Sequence, residues 1–164
     1  MDVRDIRNVR IQHGKVQWKL NMWQTLHQLL TDNHYASDAI TLIRRAYDLA
    51  AKAHDGQRRA SGDPFVSHPV AVATHLIGIK LDAPAIAAAL LHDVIEDTVI
   101  NEEKLRSDFG NDVTELILGV TKVSALKSVS NSENEAINLR RMFIAIASDA
   151  RVILIKLADR LHNL

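Results

Sequence analysis

Apolar residues recur along this chain at intervals of three and four, which is the spacing of one face of an α-helix. One such stripe begins at Met22 and another at Ile40, whereas residues 1–21 mix charged and isolated apolar positions without a stripe. No segment of strand length alternates between apolar and polar residues. The pattern predicts an all-α helical bundle, with residues 1–21 as an N-terminal arm and residues 22–164 as one domain.

The second half of the chain continues this helical pattern around one polar loop. Residues 56–69 contain two glycines and two prolines, so we expect an ordered loop there, with helices over residues 70–79 and 82–95 after it. The segment from Ala85 to Ile95 is apolar almost all round, which predicts a central buried helix. Further helices are predicted over residues 101–110, 112–119, 133–147 and 151–164, with an exposed loop over residues 124–132.

The composition excludes several classes of function. Lys plus Arg and Asp plus Glu number 20 each, so no overall field predicts binding to nucleic acid or to a membrane surface, and an anionic ligand must be held locally. There is no cysteine, which excludes disulfides and thiolate metal sites. No apolar stretch approaches the roughly 20 residues needed to cross a bilayer. We therefore expect a cytoplasmic protein whose oligomeric state is left open.

The end of the predicted central helix concentrates polar chemistry. His92, Asp93, Glu96 and Asp97 lie within two helical turns, and spacings of four bring His92 near Glu96 and Asp93 near Asp97. Carboxylates crowded at the end of an apolar helix repel one another unless they share a proton or bind a cation. The cluster therefore indicates a metal site.

Two other segments can complete such a site. Asp159 and Asn163 stand four residues apart on the last predicted helix, and His68 is expected in the loop just before a helix, with Pro69 fixing its direction. Two imidazoles and two carboxylates suit manganese, iron, magnesium or zinc, and we expect manganese. The remaining histidines are expected to be ordinary surface or capped core residues; they are His13, His27, His34, His54, His75 and His162.

Five ordered segments resemble the successive motifs of RelA/SpoT-like hydrolase domains, which are of the HD type. These are AHDGQRRASGDPFVSHP at 53–69, ALLHDVIEDT at 89–98, FG at 109–110, GVTK at 119–122 and RVILIKLADRLHN at 151–163. A His-Asp dipeptide alone is a weak signal, but five blocks in the family's order over residues 40–164 are a specific one. The resemblance implies an all-α HD domain with a metal site between central helices.

The resemblance also implies an activity. The family's metal ligands correspond to His68, His92, Asp93 and Asp159, which would hold a manganese ion. Glu96 and Asp97 would position or activate the attacking water. The implied reaction is hydrolysis of the 3′-pyrophosphate of (p)ppGpp to GDP or GTP and pyrophosphate. Members that have lost hydrolysis are altered at the His-Asp and Glu-Asp pairs, which this chain retains.

The same resemblance implies the nucleotide contacts. Arg59 would lie on the guanine base, with Ser61 near it and Asn163 close to the nucleotide. Ala60 departs from the lysine that the family usually has after the arginine, so that contact is missing or is supplied by Arg58. Other candidate cations for the phosphates are Lys122, Arg140, Arg141 and Lys156.

The family continues beyond the LHN segment with residues that help to close the nucleotide site, so we expect this chain to be an N-terminal fragment of a long bifunctional member. Three other interpretations remain open. In the first, the chain is an HD phosphohydrolase for another nucleotide. In the second, it is a regulatory module that binds alarmone without turnover. In the third, it is a structural helical domain whose His-Asp cluster is a salt-bridged helix end.

Overall fold

A computed structural model describes residues 14–125 and 149–163 of the chain. In those residues the helices are α1 Gly14–Asp32, α2 Ser37–Ala53, α3 Ser67–Gly78, α4 Ala83–Leu91, α5 Val94–Asp97, α6 Glu102–Ala125 and α7 Ala150–His162. The described part contains no strand, only an isolated β-bridge between Arg58 and Pro64. The predicted all-α fold is confirmed. The helix predicted over residues 133–147 and most of the loop predicted over residues 124–132 lie outside the described residues.

Helix α1 begins earlier than the apolar stripe suggested. It starts at Gly14 and therefore includes the last eight residues of the predicted arm, while its buried residues are Met22, Leu26 and Leu30 of the predicted stripe. The reason is that helix formation needs apolar spacing only where the helix meets the core. The division of the chain into an arm and a domain at residue 21 stays a prediction.

Helix α4 forms the centre of the bundle, as predicted. Asp82 caps its N-terminus by accepting a hydrogen bond from the backbone N–H of Ala85 at 3.2 Å, and Pro84 lies in the first turn, where the helix needs no N–H. Every residue from Ala85 to Leu91 is buried, and α4 contacts α2, α3, α6 and α7. The run of alanines lets these helices approach closely.

The prediction of one uninterrupted helix to Ile95 was wrong. Helix α4 ends at Leu91, and α5 begins after His92 and Asp93, which nevertheless keep right-handed helical dihedral angles. Nδ1 of His92 lies 2.7 Å from the carbonyl oxygen of Ala89, which would accept from the N–H of Asp93 in a regular helix. This contact competes with the helical hydrogen bond but leaves the direction of the chain unchanged.

Helix α3 also begins earlier than predicted, and this changes the setting of His68. The helix starts at Ser67, so His68 lies on its first turn and not in the preceding loop. Pro69 is compatible with this position, because the first backbone N–H groups of a helix have no partner within it. His68 is therefore held by a regular helix.

Helix α6 bends at one glycine and packs against α7 at another. Gly110 has φ +80° and interrupts the helix where a break was predicted. The predicted end near Gly119 was wrong, since α6 continues to Ala125. A Cβ at Gly119 would lie 2.7 Å from Cγ2 of Val152, so this glycine permits close packing of α7 and does not end a helix.

Arg151 fixes the start of α7 to the rest of the bundle. Its guanidinium lies 2.6 Å from Oδ2 of Asp82 and 2.7 Å from Oδ1 of Asp112, and it also contacts Asp149, the N-cap of α7. The hydrogen bond from Arg151 holds the pKa of Asp149 below its ordinary value. This network joins α7 to the caps and helices on either side of it.

We predict that Gly119→Ala destabilises the protein by about 1 kcal/mol. Overpacking of a core costs about 1–3 kcal/mol, whereas replacing glycine by alanine in a helix gains up to about 1 kcal/mol. In a Val152→Ala background the clash is absent, and the same change should stabilise the protein. Urea unfolding of the four variants measures both effects, and an equal effect in the two backgrounds would show that Val152 is not the obstacle.

We predict that Arg151→Met lowers the free energy of unfolding by about 1–2 kcal/mol near neutral pH, because three carboxylates lose their shared partner. Lys104→Met, which removes an exposed pair with Asp108, should cost no more than about 0.5 kcal/mol. The contribution of Asp149 is fully present above its ordinary pKa of 3.8 and is lost as the pH falls through its lower folded-state pKa. Unfolding curves at several pH values should therefore converge in acid; a constant gap would contradict the ion-pair explanation.

Candidate metal centre

Four side chains from three parts of the bundle meet beside the C-terminal end of α4. Nε2 of His68 lies 3.1 Å from Oδ1 of Asp159 and 3.8 Å from Oδ2 of Asp93. Nε2 of His92 lies 3.0 Å from Oδ1 of Asp93 and 3.9 Å from Oδ1 of Asp159. The ligand atoms of His68, His92 and Asp159, all buried, lie within 4.8 Å of one another. The structure thus brings together all four predicted ligands.

His92 presents one particular nitrogen to this cluster. Its Nδ1 is within hydrogen-bonding distance of the carbonyl oxygen of Ala89, which can only accept, so the proton lies on Nδ1 and the lone pair on Nε2. Among the described residues, Nε2 is buried and has no hydrogen-bond partner. A buried lone pair directed at carboxylate oxygens is unfavourable unless a cation or proton lies between them. The geometry therefore fits a metal ligand.

Asp159 is held in its charged form. Before a metal binds, burial alone would raise the pKa of this carboxyl, but hydrogen bonds from protonated His68 and from Lys156 and the nearby charges of Lys156 and His92 outweigh burial and hold the pKa well below its ordinary value. A bound cation would take the place of the protons on the two Nε2 atoms. Nζ of Lys156 lies 2.6 Å from Oδ2, so Oδ1 is the oxygen directed at the histidines. An ionised carboxylate with one neutralised oxygen can offer the other to a divalent cation.

The donor set is compatible with a divalent metal. Two imidazole nitrogens and two carboxylates form a mixed set that suits first-row divalent ions and leaves positions open for water and substrate. His68, His92 and Asp159 are buried, whereas Asp93 is partly exposed, so the site is open on the side of Asp93. The structure supports a divalent ion in general terms and does not select manganese from the alternatives.

Glu96 and Asp97 lie one turn beyond Asp93, on the short helix α5. Both are exposed, and the backbone N–H of Asp97 donates to the carbonyl of Asp93 at 2.9 Å. Within the described residues neither carboxylate takes part in an ion pair, so both remain available to a ligand or to water. The predicted pairing of His92 with Glu96 and of Asp93 with Asp97, and the catalytic role of the two carboxylates, stay predictions.

The loop of residues 54–66 borders the cluster and is internally ordered. His54, which is buried, stacks on Phe65 at 4.4 Å between ring centroids, and its Nδ1 is 2.8 Å from Oε1 of Gln57. Nε2 of Gln57 donates to the carbonyl of Asp97 at 3.4 Å. The loop is thereby connected to α5. His54 is thus a core residue, as expected for most of the histidines.

The predicted nucleotide-binding residues divide into two groups. Arg59 reaches the end of α7, where its Nη2 donates to Oδ1 of Asn163 at 2.9 Å, and Nδ2 of Asn163 donates to Oδ1 of Asp159 at 2.8 Å. Ser61 instead is exposed and donates to Oδ2 of Asp63 in its own turn at 2.8 Å. The structure brings Arg59 and Asn163 to the cluster and leaves Ser61 at the tip of the loop.

The basic side chains that were candidates for binding the phosphates have different surroundings. Lys156 contacts Asp159, as described above. Arg58 is exposed and donates to the carbonyl of Gly62 within the loop at 2.6 Å, and Lys122 is exposed on α6. Arg140 and Arg141 lie outside the described residues.

Sequence reasoning missed His162, which it grouped with the ordinary histidines. Nδ1 of His162 lies 2.9 Å from Nδ1 of His68 and 3.2 Å from Nη1 of Arg59. The signal was present, since His162 follows Asp159 by three residues and so lies on the same side of α7. A spacing rule applied to Asp159 would have selected it.

Comparison with known proteins gives the family. The family described as HD domain matches residues 46–164. The chain belongs to the HD-domain family.

No helix among the described residues is both long enough and apolar enough to cross a membrane.

Individual relatives show which proteins of the HD-domain family this chain resembles. The chain is 47% identical over 143 residues to the bifunctional (p)ppGpp synthase/hydrolase SpoT of Escherichia coli (strain K12), covering 87% of this chain and 20% of that protein. It is 50% identical over 123 residues to the probable guanosine-3′,5′-bis(diphosphate) 3′-pyrophosphohydrolase of Synechocystis sp., covering 75% of this chain and 16% of that one. The chain thus spans about a fifth of the length of these relatives.

A solved structure agrees with the sequence relatives. It is that of a metazoan ortholog of SpoT described as hydrolysing ppGpp, with a TM-score of 0.58 and 32% identity over 79% of this chain and 70% of that one. The predicted resemblance to RelA/SpoT-like hydrolase domains is confirmed by these comparisons.

We predict that His92→Ala and Asp93→Ala each abolish retention of a divalent ion, because each removes one of four ligand side chains. A ligand present at 100 times its Kd stabilises a protein by about 2.7 kcal/mol, so the Tm of the unchanged protein should rise on addition of Mn²⁺ and the Tm of the variants should not. Elemental analysis after dialysis gives the metal content.

The matched controls are His75→Ala, on the last turn of α3, and Asp48→Ala, which removes an exposed carboxylate. Both should retain the metal. Metal content in His92→Ala and Asp93→Ala equal to that of these controls would disprove the ligand assignment.

Proposed function

We propose that this chain hydrolyses the 3′-pyrophosphate of (p)ppGpp to GDP or GTP and pyrophosphate, with a bound manganese ion. The observation that carries the proposal is the convergence of His68, His92, Asp93 and Asp159 next to the exposed pair Glu96 and Asp97. The relatives include 3′-pyrophosphohydrolases of guanosine-3′,5′-bis(diphosphate), and they supply the proposed substrate.

The chemistry follows from the charges of these groups. A divalent ion bound in this site would polarise a phosphoryl oxygen and lower the pKa of water. Asp159 would bring a negative charge to the ligand set, with Lys156 on its other oxygen, and His92 would bring a lone pair on Nε2. Two anionic and two neutral ligands leave the site close to neutral once a divalent ion is bound. A neutral site does not repel an anionic substrate.

Glu96 and Asp97 act on the attacking water in this proposal. Their carboxylates orient it, and one carboxylate oxygen accepts its proton as the water oxygen attacks the phosphorus bonded to the ribose 3′-oxygen. The bond between that phosphorus and the 3′-oxygen breaks, pyrophosphate leaves with the new oxygen, and the 3′-oxygen takes up a proton to become a hydroxyl. The pair can carry out this role because it is exposed, lies one turn from the ligand Asp93 and is not engaged by a described cation. General-base assistance of this kind typically contributes about 10² to 10⁴ in rate.

Arg59 holds the base in this proposal. A guanidinium can stack its flat face on a purine, and the hydrogen bonds from Arg59 to Asn163 and His162 fix the plane of that group. Ser61, two residues further along the same loop, and Asn163, at the end of α7, are the further proposed nucleotide contacts; Ser61 would have to exchange its hydrogen bond to Asp63 for one to the nucleotide. Arg58 and Lys156 are described candidates for the phosphates.

A direct assay tests the proposal against its alternatives. Purified chain with Mn²⁺ and ppGpp should release pyrophosphate and GDP, and chelation should stop the release. Hydrolysis of ATP, GTP or a deoxynucleotide without hydrolysis of ppGpp would support an HD phosphohydrolase of different specificity. Calorimetric binding of ppGpp with no product would support a regulatory module instead.

We predict that Glu96→Gln combined with Asp97→Asn leaves the metal bound but lowers kcat by about 10² or more, because the amides keep the size of the side chains and lose the basic oxygen. Nucleotide affinity should change little. A matched control is Glu103→Gln with Asp32→Asn, two exposed positions on other helices that should retain full turnover. Normal kcat in the first variant would show that the pair only ends a helix.

A further inference from the structure

His162 is the last residue of α7 and lies between two groups with different proposed roles. Its Nδ1 is 2.9 Å from Nδ1 of His68 and 3.2 Å from Nη1 of Arg59, and its ring centroid is 5.0 Å from that of His68. His68 belongs to the metal centre, whereas Arg59 belongs to the loop that faces the nucleotide. His162 is half-buried and is in contact with both.

The hydrogen-bond chemistry determines which atom accepts. His68 directs Nε2 toward Asp159 and Asp93, so binding a metal there requires its proton to be on Nδ1. That N–H then donates to His162, and Arg59 can only donate. Nδ1 of His162 must therefore be the acceptor for both, and its own proton is on Nε2. A single lone-pair atom thus orients a metal ligand and a base-binding side chain.

A parallel route begins at the same arginine. Nη2 of Arg59 donates to Oδ1 of Asn163, and Nδ2 of Asn163 donates to Oδ1 of Asp159, at 2.9 and 2.8 Å. Both routes run from the guanidinium to a proposed ligand through consecutive residues at the end of α7. The position of Arg59 is thereby connected to the geometry of two ligands on different helices.

We infer that His162 is a positioning residue that holds His68 in its metal-binding orientation and Arg59 in its base-binding orientation. This inference rests on the proposed function. Residues that orient a metal ligand typically change metal affinity by about 10- to 100-fold when they are removed. Because Arg59 shares the acceptor, a change at His162 affects binding of the nucleotide as well as of the metal.

Two substitutions separate this role from simple packing. His162→Phe keeps an aromatic ring of similar size and removes the acceptor, whereas His162→Asn places an amide oxygen near the position of Nδ1. We expect His162→Phe to weaken Mn²⁺ binding about 10- to 100-fold by calorimetry and to raise the KM for ppGpp. His162→Asn should recover most of both losses. His75→Phe, at the opposite end of α3, is the matched control and should behave as the unchanged protein.

Circular dichroism and thermal unfolding of the metal-free variants establish that they are folded. If His162→Phe does not fold, His162→Leu replaces it: it also removes the acceptor, leaves Arg59 and the metal ligands intact and should weaken Mn²⁺ binding to a similar extent. Wild-type Mn²⁺ affinity in His162→Phe, or in His162→Leu where that variant replaces it, would overturn the inference. Equal losses in His162→Phe and His162→Asn would also overturn it, since packing and not the acceptor would then be responsible.

Metal affinity also distinguishes this inference from the proposed function. It is measured without a nucleotide, so a protein that fails to hydrolyse ppGpp but shows the predicted loss and recovery at His162 would refute the hydrolase and support the positioning role. A chain that hydrolyses ppGpp but binds Mn²⁺ equally well with and without the His162 substitution would support the hydrolase and refute the positioning role.

Discussion

Two imidazole nitrogens and the carboxylates of Asp93 and Asp159 face one another at 3.0–3.9 Å against a core made mostly of apolar side chains. Electrostatic interactions there are weakly screened, so lone pairs and negative charges at such distances repel strongly unless a cation or proton lies between them. The described residues supply one such cation, Lys156, on the far oxygen of Asp159. The remaining repulsion is the constraint that the fold must satisfy.

The bundle meets this constraint by fixing the backbones that carry the ligands. Helix α4 supplies His92 and leads into Asp93, and its alanine-rich surface lets four other helices pack closely around it. Helix α7 must be placed with equal accuracy, because it carries Asp159. Its start is held by the ion pairs of Arg151, and its side is brought close to α6 by the absence of a side chain at Gly119. These contacts lie away from the metal ligands but fix the position of one ligand, Asp159.

The sequence predicted those features of the fold and the site that depend on residues close together in one helix. The apolar stripes gave the helices, and the cluster from His92 to Asp97 could be recognised because its members are separated by one or two turns of a single segment. His68 and Asp159 lie far from this cluster in the chain, and no spacing rule connects them to it; they were selected as an imidazole and a carboxylate that could complete a metal site, and the resemblance to a family then supported the set of four. The resemblance added Ser61, whose proposed contact with the nucleotide stays a prediction, since its hydroxyl donates to Asp63 in this structure.

The errors arose where a residue has more than one possible structural use. Pro69 was interpreted as the end of a loop but lies in the first turn of a helix, and Gly119 was interpreted as a helix end but permits a close approach of two helices. In both cases the local preference is compatible with either structure, and packing between elements decides between them. The contact of His162 with His68 was missed for a different reason. The spacing of three residues from Asp159 places His162 on the same side of α7, but the contact itself joins residues far apart in the chain.

The last turn of α7 concentrates three connections in five residues. Asp159, His162 and Asn163 are separated by three and four residues and therefore lie on one side of the helix, where they contact the metal cluster and Arg59 together. Fixing a long side chain such as arginine costs up to about 2 kcal/mol of conformational entropy. Hydrogen bonds within the protein already order the side chain of Arg59, so less of the free energy of nucleotide binding would be needed to order it. In the proposed hydrolase the same residues would orient the side chain of Arg59 and the metal ligands. Arg59 would then be in its base-binding orientation when the ligands are correctly placed, and this would couple recognition of the base to the state of the metal centre.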